Sequence, residues 1–294
     1  FVENVPEGPD AARIINQMAA QGADMIMLGS FGYMNDGISL AEQRPDLTFI
    51  HASGYLLADN FSNFQSRNYE TSYLVGMAAA DVTETNTVGI VAAFAIPEVV
   101  GMINGFTLGI QAVNPDVTVK VVWLNSWFDP PKAQESARAL MAQESDVIYS
   151  LYQDTPSVVT VAEEEGVWVI NTSSDMKKYA PNWLLASQIA DWSSFFVNSA
   201  QATIDGTFEG EAFWGGFVDD TVDVLSWSSS ISPETMTMIK EAEAAMRAGE
   251  FHPLTGPIMD QDGTQRLADG EVIDDGAMAG IDWLVTGVET RIPQ

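Results

Sequence analysis

Residues 119–140, VKVVWLNSWFDPPKAQESARAL, contain one full round of a pattern that most of the chain repeats: a β-branched run, a loop, then an amphipathic helix. Val119, Val121, Val122 and Leu124 read as a short buried strand. Pro130 and Pro131 suit a first helical turn, and Asp129 before them is an N-cap whose carboxylate accepts from free backbone N–H groups. Between strand and helix lie Asn125, Ser126, Trp127 and Phe128. In an open α/β sheet such a loop sits at the carboxyl end of a strand, which is where ligands bind.

Alternation of this kind runs from end to end. Residues 1–5 (FVENV) read as a strand feeding a helix that Gly22 ends, so the pattern begins in mid-motif and the chain reads as processed or truncated. Further strands are expected at 24–28, 48–52, 87–93, 146–151, 167–171 and 184–189, and helices at 69–82, 98–113, 157–165 and 233–248. The polar segment 59–68 reads as an edge strand, 212–227 as strand-like and aromatic, and everything from Phe251 onward as turns. Strands and helices at this spacing predict parallel sheets with helices on both faces. Two similar lobes dividing near residues 95–97 accommodate so many units better than one sheet, with a TIM barrel as the structural alternative.

Charge narrows the function classes. Twelve Lys and Arg against 41 Asp and Glu give a formal charge of −29, which repels nucleic acid and anionic lipid and argues against a phosphorylated ligand held by basic residues. The carboxylates are scattered, which favours adaptation to a saline habitat over an acidic partner-binding face. With no cysteine, disulfides, Cys–Zn sites and thiol nucleophiles are excluded. No apolar run of about 18 residues exists to span a membrane.

Catalytic motifs fail one after another. The only histidines are His51 and His252, and there is no G-x-S-x-G elbow, H-E-x-x-H, phosphate loop or G-x-G-x-x-G after a strand. Ser174 and Lys177 match S-x-x-K without its companion motifs, and Asp260, Asp262 and Glu271 make an incomplete EF-hand. The chain is therefore expected not to be an enzyme and to need no cofactor or metal. What the loops do collect is aromatic: Phe31, Tyr33, Tyr55, Phe94, Trp127, Phe128, Tyr152 and Trp192, beside Ser30, Asn125, Gln153, Asp154, Ser174, Asp175 and Asp191. Flat faces with a few amides and carboxylates suit a flat ring with a polar edge, because stacking contributes roughly 1–3 kcal/mol per base without positive charge.

Several stretches resemble the basic membrane protein family, the substrate-binding proteins of certain ABC importers that include purine nucleoside receptors. They are FVENVPEG (1–8), GSFGYMND (29–36), NYETSYLVGMAAA (68–80), IPEVVGMINGFTLGIQAVNPDVTVKVVWLNSWFDP (96–130), SSDMKKYAP (173–181), DGTFEG (205–210) and HPLTGPIMDQDG (252–263). NSWFDP and the GPI-containing tail resemble the branch that binds purine bases such as adenine.

The resemblance implies a type I periplasmic-binding fold: two α/β lobes with parallel sheets, three chain crossings and ligand in the cleft. It implies a first lobe of residues 1–95 plus about 192–214 and a second of 96–191 plus about 215–294. The family's first strand-helix unit has no counterpart here, and a lipid anchor would lie in that absent segment. The family's ligand loops fall on Phe31 and Tyr33, on Trp127 and Phe128, on Gln153 and Asp154, and on Ser174, Asp175 and Met176, with Asp191 and Trp192 near the hinge; Asn125, in the same loop as Trp127, is a further candidate contact. Phe31 and Trp127 are expected as ring-stacking walls, with Asp175 or Asp154 on the polar edge. The implied function is extracytoplasmic capture of a purine base or nucleoside, adenine-like by preference, by a monomer that delivers it to a membrane permease. A ligand-sensing ectodomain or a binder of another small cyclic solute is the alternative, and a nucleoside-acting enzyme the weaker one.

Overall fold

The computed structural model describes residues 1–294 except Asn4, Asp154 and Gln294. In chain order the first elements are α1 (Pro9–Ala20), β1 (Met25–Leu28), α2 (Met34–Gln43), β2 (Thr48–Ala52), β3 (Phe61–Ser66), α3 (Asn68–Val82), β4 (Thr87–Ala92) and α4 (Pro97–Val113). Then come β5 (Thr118–Trp123), α5 (Pro130–Met141), β6 (Val147–Leu151), α6 (Ser157–Glu165), β7 (Trp168–Asn171), β8 (Leu184–Ala190) and α7 (Ser193–Asp205). The last are β9 (Ala212–Gly215), β10 (Val222–Leu225), α8 (Pro233–Arg247), β11 (Ile258–Met259), β12 (Gln265–Leu267) and α9 (Asp275–Ala279). Among the described residues no helix is long and apolar enough to cross a membrane.

Two compact units form: Phe1–Ser66 with Asp191–Gly215, and Arg67–Ala190 with Gly216–Gln294. The first boundary is thus at Ser66–Arg67 and not near residue 95. The reason is packing: β4 is an interior strand of the second unit's sheet, and α3 lies on α4 with backbone-to-backbone proximity. A Cβ on Gly105 would sit 2.4 Å from Tyr69 O, and one on Gly109 1.9 Å from Tyr73 O, so only glycine permits that approach. Just past the boundary, Arg67 is gripped by the Asp275 carboxylate through two hydrogen bonds of 2.7 and 2.8 Å.

The first unit is a four-stranded parallel sheet in the order β1-β2-β3-β9. Ala11, Ile15 and Ala19 recur at helical spacing on α1 and pack with Leu40, Phe49 and Phe61. On α7, Phe195 joins Ile50 and Phe64. The segment read as an edge strand is β3, an interior strand between β2 and β9. Its polar residues are satisfied internally: Ser62 Oγ accepts from Glu211 N at 2.9 Å, and Asn63 Oδ1 faces His51 Nδ1 at 3.1 Å. Buried polar groups with such partners cost little, which polarity alone does not reveal. Residues 1–3 and 5, expected in a strand, have no regular structure; β1 is the edge of the sheet and Phe1 is fully exposed.

The second unit carries a six-stranded sheet in the order β10-β8-β7-β6-β4-β5, with β4 to β8 parallel and β10 antiparallel, which excludes the barrel alternative. β6 is buried along its whole length, as a strand covered on both faces must be. Helices α5 and α6 cover one face with Ala133, Ala137, Leu140, Val158 and Ala162. The tail is more than turns. It runs beside β5, where Val119 N donates to Gly287 O and Glu289 N to Val119 O, each at 2.9 Å. Asn104 pins it to α4 by donating to Trp283 O and accepting from Val285 N, both at 2.9 Å.

Candidate functional site

In the second unit β4 is flanked by β5 on one side and β6 on the other. The connections after β4 and after β6 therefore leave in opposite directions, and the gap at their carboxyl ends is a topological switch point, the usual ligand position of a doubly wound sheet. Three aromatic rings gather there. Phe94, after β4, lies 4.8 Å from Trp127, after β5, at 58° between planes. Trp127 stands edge-on to Tyr152, after β6, at 6.3 Å and 75°. The Trp127 Nε1 atom is buried with no hydrogen-bond partner.

Backbone strain marks the same loops. Asn125, Tyr152 and Ser173, each just beyond its strand, have φ of 54°, 53° and 76°. Left-handed conformations in residues other than glycine persist only where the surroundings hold them, and they cluster at ligand sites. Tyr152 is held by its N–H, which donates to Thr172 Oγ1 at 2.9 Å, and by its hydroxyl. That hydroxyl accepts from Asn68 Nδ2 at 2.6 Å and donates to Glu98 Oε1 at 2.5 Å. Burial pushes it well above its ordinary pKa, and the neighbouring Glu98 carboxylate adds to the shift.

The loop that opens α5 forms as its sequence requires. Asp129 Oδ1 accepts from Lys132 N at 3.2 Å, and Lys132 Nζ donates to Leu124 O at 2.5 Å, closing the end of β5. Trp127 is half-buried, whereas Phe128 and Asn125 are exposed. Gln153 is buried and donates to Leu151 O at 3.3 Å. Asp154 lies outside the described residues. Ser174 and Asp175 are exposed, and Met176 is half-buried against the α5–α6 core. The Asp175 carboxylate accepts from Lys177 N at 3.0 Å and Ser226 Oγ at 2.8 Å, and the first of these, chiefly, holds its pKa below the usual value. Its oxygens thus serve the loop's own geometry.

Within the first unit, Phe31 and Tyr33 lie in a one-turn 3-10 helix after β1. The Tyr33 hydroxyl donates to Val5 O at 2.5 Å, and Glu7 accepts from Ser30 Oγ at 2.6 Å and Gly32 N at 2.9 Å, so this loop is tied to the segment before α1. His51 Nε2 faces Ser30 O at 2.9 Å, and burial holds the imidazole below its ordinary 6.5 although Asn63 and Ser30 oppose this. Asp191 opens the return segment and accepts from Ser193 N at 2.9 Å. Trp192 packs on Phe64 at 5.1 Å, and its Nε1 is also without a partner.

Glu98 and Asn68 are the residues that sequence reasoning missed. Glu98 follows a strand end and Pro97, the one signal that pointed to it, but it reads as an ordinary first-turn acid. Its contact with Tyr152 spans 54 residues. Among the described residues no group of three or more His, Asp or Glu is placed to hold a metal ion. Asp260 of the incomplete EF-hand instead pairs with Arg266 at 2.7 Å. A cavity of about 430 Å³ beside it is lined by Asp262, Trp283 and Arg291 and lies in the tail.

Comparison with known proteins agrees with this architecture. A family profile described as ABC transporter substrate-binding protein PnrA-like matches residues 2–247. The chain is 38% identical over its whole length to a purine-binding protein of Brucella abortus, covering 83% of that protein. It is also 38% identical over 247 residues to a putative ABC transporter glucose-binding protein of Haloferax volcanii, covering 63% of it. An ABC transporter solute-binding protein of Aeropyrum pernix superposes with a TM-score of 0.76 at 16% identity, over 93% of this chain and 84% of that one, and so shares the fold. The chain belongs to the PnrA-like family of ABC transporter substrate-binding proteins.

Proposed function

We propose that this protein captures a purine base or nucleoside outside the cytoplasm and hands it to a membrane permease, with an adenine-like ring favoured. The observation that carries the reading is the Phe94–Trp127–Tyr152 group at the switch point, where flat aromatic faces surround a buried, unpartnered indole N–H. A heteroaromatic ring gains roughly 1–3 kcal/mol from each such stack without needing positive charge, in keeping with a chain of −29. The purine-binding relative, aligned over the full chain, supports the same ligand class. Trp127 serves as the stacking wall in this unit. Phe31 is the corresponding candidate of the first unit, and Asn125, Phe128, Gln153, Ser174, Asp175, Met176, Asp191 and Trp192 belong to the surrounding loops. Capture makes and breaks no bond, so no acid–base pair or nucleophile is required.

A second reading is capture of a hexose. It is favoured by the glucose-binding name of the Haloferax relative, and aromatic faces with carboxylate and amide partners also suit a sugar. Calorimetric titration with adenine, guanine, adenosine, guanosine and glucose in matched high salt separates the two. One-to-one binding of a purine is the expected result. Silence to all four purines, with heat from glucose, would overturn the purine reading.

A further inference from the structure

The cavity of about 430 Å³ in the tail is built from three chain segments. The turn between β11 and β12 is closed by Asp260, whose Oδ1 accepts from Asp262 N and Thr264 N, each at 2.9 Å. Gln261 joins this turn to the other two segments. Its Nε2 donates to Val288 O and, at 3.0 Å, to Thr290 O, just before Arg291. Its backbone N–H donates to Leu284 O at 3.0 Å, beside Trp283. The walls are thus held by the chain's own hydrogen bonds, and the volume is that of a site for one small molecule.

The lining offers three kinds of chemistry. Arg266 donates through Nε to Asp260 Oδ2 at 2.7 Å, and Arg291 through Nη2 to Asp262 Oδ1 at 2.6 Å. Among the described residues these are the only hydrogen bonds of the two guanidinium groups. A guanidinium has five N–H donors, so each keeps an edge for a second acceptor. Asp282 is exposed and makes no hydrogen bond or ion pair among the described residues. Trp283 and Ile292 are half-buried and supply apolar wall, and the Arg266 guanidinium is steadied 5.7 Å from the Trp283 ring centre.

Three aspartates and two arginines leave this lining one negative charge, in a chain of −29. A pure anion is repelled by such a field, and a pure cation meets two guanidinium groups. A zwitterion is net neutral, so the field leaves it alone while both kinds of charged group find a partner. We propose that the tail cavity is a second binding site, one that takes a zwitterionic α-amino acid with an apolar side chain. In such a molecule a carboxylate, an ammonium and an apolar arm meet at one carbon. The carboxylate takes the open edges of Arg291 and Arg266, the ammonium lies by Asp282, and the side chain rests on Trp283 and Ile292. A carboxylate on a guanidinium makes the stronger, charge-assisted kind of hydrogen bond.

The test titrates L-phenylalanine and L-leucine calorimetrically into the full chain, beside two clipped probes. N-acetyl-L-phenylalanine lacks the ammonium, and L-phenylalanine amide lacks the carboxylate. One-to-one binding of the amino acids is expected, with each clipped probe weaker by about tenfold, the scale of one charge-assisted bond. Arg291→Gln is expected to weaken phenylalanine by a similar factor and to leave the amide unchanged. Asp282→Asn is expected to weaken phenylalanine and to leave the N-acetyl probe unchanged. The Arg291 and Asp262 side chains are 63% and 64% exposed, so losing their ion pair leaves the fold intact. Saturating adenine is expected to leave phenylalanine binding as it was. No heat from either amino acid would overturn the second site, as would equal affinity for phenylalanine and both clipped probes. Phenylalanine binding that ignores both variants, or that adenine displaces, would also overturn it. None of these outcomes touches the purine reading, which the nucleobase titration decides separately.

Discussion

Phe64 of the first unit and Trp127 of the second both lie toward the carboxyl ends of parallel strands, and they are used differently. Phe64 is 3% exposed and touches Trp192, Phe195 and Phe196 at 5.1, 5.5 and 5.0 Å, a cluster whose rings pack on one another. Trp127 touches two rings and is half-buried, in a loop where Asn125 has a positive φ. The first arrangement is what a core does with aromatics, and the second fits the binding seat proposed for this unit. An aromatic near a strand end therefore becomes informative only once its burial and the backbone around it are known.

Substitutions can break or sharpen this contrast. The largest effect is expected from Phe64→Ala, which should lower stability by about 3–5 kcal/mol in denaturant titration. The fraction that remains folded should bind ligand as before; an isothermal titration showing lost affinity without lost stability would reverse the two roles. Next comes Gly109→Ala. Its methyl would meet Tyr73 O at 1.9 Å, and forcing α3 and α4 apart should cost about 1–3 kcal/mol in the second unit. Trp127→Ala should weaken binding by roughly 1–3 kcal/mol, with a smaller change in melting temperature, because the ring is only half-buried. Asp129→Ala, which removes the α5 cap, should cost about 1 kcal/mol of stability and little affinity.

The smallest effect concerns pH. The His51 pKa is lowered in the folded chain by burial, so the unfolded chain takes up a proton more readily. Stability from this group is complete above the unfolded value near 6.5 and is lost as pH falls below it toward the lowered folded value. Melting temperatures taken at falling pH should show a loss that His51→Gln reduces; an identical slope in the variant would remove His51 as its source.

Much of this was legible in the order of residues. The β5–α5 round, its Asp129 cap and the Trp127 loop are local features, and local features follow from propensity and spacing. Failures came where distant groups decide. Ser62 and Asn63 look like solvent-facing residues of an edge strand until Glu211 and His51 are seen to satisfy them. The boundary at Ser66–Arg67 depends on α3 fitting against α4 through glycines, a contact that no window of sequence contains. The contact of Asp175 with Ser226, 51 residues away, was likewise not visible in the sequence. Glu98 became visible only through Tyr152.

The return of the chain from Asp191 to Gly215 has a consequence for how the molecule assembles. Strand β9 completes the first unit's sheet by pairing Asn63 with Ala212. The hydrogen bond from Glu211 to Ser62 beside it closes a loop of 149 residues. Every strand of the second sheet from β4 to β8 leaves the ribosome before that pairing is possible. Closure over so long a separation adds only modestly to the entropic cost but slows the search for contact. Strands β1 to β3 are thus made before the second sheet, yet their own sheet is among the last to be completed. Until then β3 has an open edge, and a chaperone that holds extended polypeptide would find its natural substrate there.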